Sequence, residues 1–145
     1  MIQLLLKTDP SLVPLVLRLT LAVIVFPHGA QKLFGWFGGY GFRGTMRYFT
    51  SMGLPAALGV LVILTESIGA VALAVGLFGR IAALGVACVM VGAIALVHLR
   101  HGFFMNWFGN QQGEGYEYHL LMAAIAVALV ITGSGLWSLD GLLAR

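Results

Sequence analysis

The chain has 145 residues, of which 60% are apolar and only 9% are charged, against roughly 25% charged in an ordinary soluble domain. A mean hydropathy of +0.99 excludes a water-soluble surface, because a small soluble domain must cover itself with polar groups. The net charge of +3 comes from basic residues scattered without a cluster, which argues against nucleic acid as a partner.

Four apolar stretches lie at about residues 12–30, 55–78, 81–99 and 118–136. Each is long enough to cross ~30 Å of hydrocarbon at ~1.5 Å per residue. Together they predict an all-α fold, an integral membrane antiparallel four-helix bundle forming a single transmembrane domain over residues 1–145. The first stretch contains Arg18 and leads into no soluble domain, so it reads as a retained helix and not a cleaved signal peptide. The glycine-rich connection from Gln31 to Leu54 follows, and within it residues 45–52 predict a short interfacial helix anchored by Met46, Tyr48, Phe49 and Met52. Gly59, Glu66, Gly69, Leu73 and Gly76 share one face of the second stretch. Only Gly79 and Arg80 separate it from the third, which demands a tight antiparallel hairpin. The third stretch carries Gly85 and Gly92 on one stripe. Small residues let membrane helices approach closely, so both stripes are expected to mark contacts. Its lone cysteine, Cys88, reads as a small packing residue. Between Arg100 and Glu117 the aromatics Phe103, Phe104, Trp107 and Phe108 suit the water–lipid boundary.

An even number of crossings puts both termini on one side and both long connections on the other, the loop face. Lys7, Arg80 and Arg145 fall on the terminal side, and Lys32, Arg43, Arg47 and Arg100 on the loop face. This balance assigns no orientation.

Ionisable residues inside apolar spans need a partner or a water-filled cavity. Counting from the loop-face ends at Lys32 and Pro55, Arg18 and Glu66 lie roughly 17–21 Å deep. They are expected to form an ion pair in the core, either fixing helix packing or flooring a polar pocket. Above them, His28, His98, His101 and His119 fall at similar depth on three stretches. Gly29 and Lys32 continue the Arg18 stripe, which completes a polar vestibule. The histidines suit hydrogen bonding, proton transfer or ligand contact better than metal or haem. Glu114 reads as a solvated acidic edge, while Glu117 also complements a helix dipole. No nucleotide loop, hydrolase elbow or CxxC is present.

Several segments resemble one known family. Phe26-Pro27-His28-Gly29-Ala30-Gln31-Lys32-Leu33-Phe34-Gly35 is similar to the end of the first helix in DoxX proteins. Glu66-Ser67-Ile68-Gly69-Ala70 with Gly76-Leu77 resembles their second-helix motif, and His98-Leu99-Arg100-His101-Gly102-Phe103-Phe104 with Asn106 their third-helix exit. Thr132-Gly133-Ser134-Gly135-Leu136-Trp137-Ser138-Leu139-Asp140 resembles the C-terminal signature. The resemblance runs from about Leu17 onward. It implies a four-helix protein of the bacterial inner membrane, associated with redox or detoxification systems. It also implies recurring polar positions at Arg18, His28, Gln31, Lys32, Glu66, Asn106 and Glu117.

On this reading the chain is a membrane subunit of a quinone-linked redox system. Glu66, Arg18 and Glu117 are its candidate catalytic residues. His28, Gln31, Lys32, His98, Asn106 and His119 are its candidate ligand contacts, with no metal assigned. A quinone or similar lipophilic molecule would be the ligand, and a redox partner protein the source of electrons. Two other functions stand beside it, a scaffold or assembly subunit docking a partner through loop-face aromatics, and a small transporter or lipid-handling protein. Four helices leave a narrow path, so transport would call for a homo-oligomer.

Overall fold

The computed structural model describes residues 2–144, and every element in them is helical. Arg145 lies outside the described residues. The helices are α1 (Ile2–Leu6), α2 (Leu12–Phe34), α3 (Gly41–Ser51), α4 (Ala56–Val75), α5 (Gly79–His101), α6 (Glu117–Thr132) and α7 (Leu139–Leu143). Three of them, α2, α4 and α5, are long and apolar enough to cross a membrane; α6 is equally apolar but has 16 residues. The chain is a multi-pass membrane protein.

Helix ends fall where the backbone must turn left-handed. α2 runs past Gly29 and continues to Gly35, the first residue with a left-handed φ (77°), whose N–H closes on the Ala30 carbonyl. α4 stops at Gly76, where φ is 68° and a Cβ would strike Ser138. Only glycine tolerates both demands. α6 ends at Thr132, short of the expected Leu136, because Gly133 turns with φ 82°.

α2 and α5 each pack on α4 and α6. α6 runs antiparallel to α5. At one end the Glu117 N–H donates to the Phe103 carbonyl (2.9 Å), and at the other Arg80 donates to the Ile131 carbonyl (2.8 Å). Leu21, Val25, Leu73, Val86, Met90, Met122 and Leu129 fill the space between the helices.

The terminal side is closed by buried polar groups. Arg18, only 2% exposed, donates from Nε to the Ser134 carbonyl (2.9 Å). Its Nη1 bonds the carbonyls of Leu73 (3.0 Å) and Ala74, and its Nη2 that of Trp137 (2.9 Å). These carbonyls include orphans at the C-terminal end of α4, which have no intrahelical partner. Asp140, 1% exposed, accepts from Phe78 N–H (2.7 Å), Gly79 N–H (2.9 Å) and Ser134 Oγ (2.6 Å). It thereby caps α5, and it holds Phe78 at a left-handed φ of 47° that a bulky residue otherwise resists.

The expected Arg18–Glu66 pair does not form. The depth count assumed that Pro55 is level with Lys32. Instead the first turns of α4 pack on α3, with Gly59 against Met46 and Phe49, so α4 begins well outside the end of α2. Glu66 consequently lies beside Gly29 and Lys32, whereas Arg18 lies beside Leu73 and Ala74. That separation is about two helical turns, or ~11 Å.

Replacing Asp140 with Ala strands the buried donors of Gly79 and Ser134 and the part-buried N–H of Phe78, and should cost roughly 3 kcal/mol. A thermal melt of the detergent-solubilised variant checks this, and an unchanged midpoint would show that Asp140 does not hold the hairpin.

Candidate functional site

The loop-face half of the bundle is hollow. A cavity of about 940 Å³ lies between α2, α4, α5 and α6, walled mostly by apolar side chains. Polar groups reach its wall from every one of these helices, with His28 and Lys32 from α2, Glu66 from α4, His98 from α5, and Tyr118 and His119 from α6.

Each is placed by a local feature of its helix. Gly29 brings α2 against α4 so closely that a Cβ there would collide with the Glu66 backbone. One turn on, Lys32 Nζ meets Glu66 Oε2 at 2.5 Å, the Lys32 side chain 24% and the Glu66 side chain 7% exposed. The approach is off the angle of an aligned hydrogen bond, so the contact is chiefly one of charge with charge. Glu66 sits in a widened π-helical turn, Thr65–Gly69, and Ser67 Oγ in that turn donates back to the Ile63 carbonyl (2.6 Å). His98 closes a second such turn, Ile94–His98. Turns of this kind swing one side chain out of the regular helical register and are frequent at functional sites.

The rings of His98 and His119 stack, with centroids 3.9 Å apart. His98 Nδ1 lies 2.8 Å from the Glu114 carbonyl. A carbonyl only accepts, so Nδ1 carries the proton and leaves Nε2 of a neutral ring as an acceptor. His119 Nδ1 is buried and has no partner among the described residues. A buried polar atom in this state loses its hydration without replacement.

Of the sequence-predicted site residues, His28, Lys32, Glu66, His98 and His119 come together, and Arg18, Gln31, Asn106 and Glu117 do not. Arg18 belongs to the terminal closure. Gln31 Nε2 donates to the Phe37 carbonyl (3.3 Å) in the first connection. Asn106 and Glu117 order the second, where Glu117 Oε1 accepts from Met105 N–H (2.9 Å), Glu114 Oε2 accepts from Asn106 N–H (2.8 Å), and the Asn106 amide closes on Gln111. His101 packs on Gly113 outside the cavity. Among the described residues no three His, Cys, Asp or Glu side chains are grouped as metal ligands.

The DoxX family profile matches residues 13–99. The chain belongs to the DoxX family. The match spans α2, α3, α4 and nearly all of α5, and so includes His28, Lys32, Glu66 and His98. A relative in Bacillus subtilis (strain 168), named "Putative oxidoreductase CatD", is 35% identical over 126 residues, covering 87% of this chain and 83% of that protein. No solved structure matches. In this DoxX chain Tyr118 and His119 lie beyond the matched segment yet complete the cavity wall.

Three features escaped sequence reasoning. Tyr118 lines the cavity, and its adjacency to His119 was the one signal in the sequence that could have found it. Cys88 is exposed on the cavity wall and not packed between helices. Gly92 lies on the stripe of Gly85, but a Cβ there would meet nothing within 4 Å, so it marks open space instead of a contact.

A double-mutant cycle tests whether Lys32 and Glu66 act as one unit. Lys32→Met alone leaves the Glu66 carboxylate uncompensated and should destabilise by ~3 kcal/mol. Adding Glu66→Gln should restore much of the loss, with a coupling of about 1–3 kcal/mol in thermal unfolding. Additive losses would separate the two residues energetically.

Proposed function

We propose that this DoxX-family protein is a membrane subunit of a bacterial inner-membrane redox system that binds a quinone headgroup in the loop-face cavity. Support comes chiefly from one observation: an apolar cavity that ends in the Lys32–Glu66 pair and the unpartnered His119 Nδ1. A quinone has the matching chemistry, a flat apolar ring with carbonyl oxygens that accept hydrogen bonds. Lys32 and a protonated His119 Nδ1 are suited to donate to those oxygens. The family and the oxidoreductase name of the Bacillus relative favour redox chemistry over passive packing.

On this reading all four long helices cross the bilayer. α6 reaches only ~24 Å by helical rise, but it runs beside α5 and locally thinned lipid accommodates the difference. Reduction of a quinone to the quinol consumes two electrons and two protons. The electrons come from a partner protein, for which the exposed loop aromatics Trp107 and Phe108, 80% and 90% exposed, offer a docking surface. Glu66 and His119 are the groups whose chemistry suits them to pass protons to the ring oxygens.

Titration of the purified protein in nanodiscs with a short-tailed benzoquinone tests the proposal. Saturable binding is expected, weakened at least about tenfold, or ~1.4 kcal/mol, by Lys32→Ala. Lack of saturable binding by the parent protein would overturn the reading.

A further inference from the structure

α4 and α5 leave their tight turn side by side. They still touch where Gly85 faces Thr65, a Cβ on Gly85 lying 3.0 Å from Thr65 Cγ2. Beyond that point they part, because Ala56–Leu64 of α4 turns its packing to α3. The gap between them is part of the cavity, and its edges are Leu61, Leu84, Cys88, Gly92 and Leu96. Leu61, Leu84 and Leu96 are 57%, 53% and 59% exposed, so the slot opens sideways. Cys88 and Gly92 stand nine and thirteen residues along α5 from Gly79, which is ~14–20 Å into the membrane. The slot therefore faces hydrocarbon, not headgroups or water. Its inner end meets the buried Glu66, 5% exposed, and the unpartnered His119 Nδ1.

We infer that this slot is a lateral portal. An amphiphile with a neutral, hydrogen-bond-accepting head and a long apolar tail slides in from the bilayer. The head stops at Lys32, Glu66 and His119, and the tail stays between α4 and α5. Gly92 is the threshold, since the absence of a side chain there keeps the slot wide enough for a ring to pass. The identity of the head as a quinone rests on the function proposed above; the path rests on the divergence of the helices. Lipid tails are as apolar as leucine, so the tail gains little free energy by leaving lipid for the slot. Affinity comes from the head, and the slot selects by width and depth.

The cavity is also lined by Tyr48 and Glu114 of the loop-face connections, both exposed, and by the half-buried Met105, so it opens at the loop face as well. A head without a tail can use that opening, which makes the portal separable from the binding site. The experiment compares 2,3-dimethoxy-5-methyl-1,4-benzoquinone with its 6-decyl derivative, binding to protein in nanodiscs. Gly92→Trp fills the slot, and Cys88→Trp fills it one turn below on the same face. Val91→Trp is the control, on a residue 60% exposed that does not line the cavity. The parent and the control should bind both compounds. Gly92→Trp and Cys88→Trp should bind the decyl compound at least about tenfold more weakly while keeping the tail-less one, and that retention also shows that the variants fold. Unchanged decyl binding in both slot variants would overturn the portal and leave the quinone reading standing. Equal loss of both compounds would overturn it as well, because the slot would then not be separable from the head site. A parent that binds neither compound overturns the quinone reading and the portal with it.

Discussion

Arg18 is the constraint on which the rest of the bundle depends. A guanidinium inside a membrane is tolerated only if its donors are satisfied, and here backbone carbonyls at the end of α4 and in the turn before α7 take them. Of these carbonyls, that of Leu73 also accepts from the Gly76 N–H (3.2 Å). Asp140 does the converse for the amides that open α5. Cation and anion each satisfy a helix terminus of opposite polarity, so the hairpin, the chain after α6 and the middle of α2 are fixed as one block. Because this end is rigid, the other can be hollow without the helices losing their arrangement.

The hollow end is organised by close approach at a single point. Gly29 lets α2 lie on the widened turn of α4, and that contact sets Lys32 against Glu66. A pair so placed satisfies its charges but not all of its hydrogen bonds. Together with the histidine stack, it leaves polar atoms facing a cavity that is otherwise apolar. Incomplete satisfaction of buried polar groups is rare in folded proteins, and on the proposed function the ligand supplies the missing partners.

Much of this was legible in the amino-acid order, and what was not has physical reasons. Apolar run lengths located the helices, because hydrocarbon thickness fixes how many residues a crossing needs. The gathering of His28, His98 and His119 followed from the common distance of the four histidines to the loop-face ends, and that of Lys32 from its place on the Arg18 stripe, whereas His101 at the same distance packs on Gly113 outside the cavity. Arg18 was misassigned a carboxylate because its true partners are main-chain carbonyls, which every residue carries and which leave no mark in a sequence. Glu66 was misplaced in depth because α3 lifts the start of α4 outward, a tertiary effect that counting along one helix does not see. Gly85 and Gly92 are indistinguishable by pattern, yet one touches a neighbour and the other faces a gap. The difference lies in the angle between two helices, and local periodicity carries no information about that angle.

The Lys32–Glu66 pair also has an electrical consequence. A lone charge moved across the full membrane potential exchanges ~2.3 kcal/mol per 100 mV with it. Two opposite charges held 2.5 Å apart at nearly one depth cancel in that field. The pair is thus a local dipole without net charge, and on the proposed function the admission of an uncharged ring beside it does no work against the voltage. Any proton that follows from the loop face does, because it crosses part of the field alone. In a bundle built this way, binding is electrically silent and protonation is not.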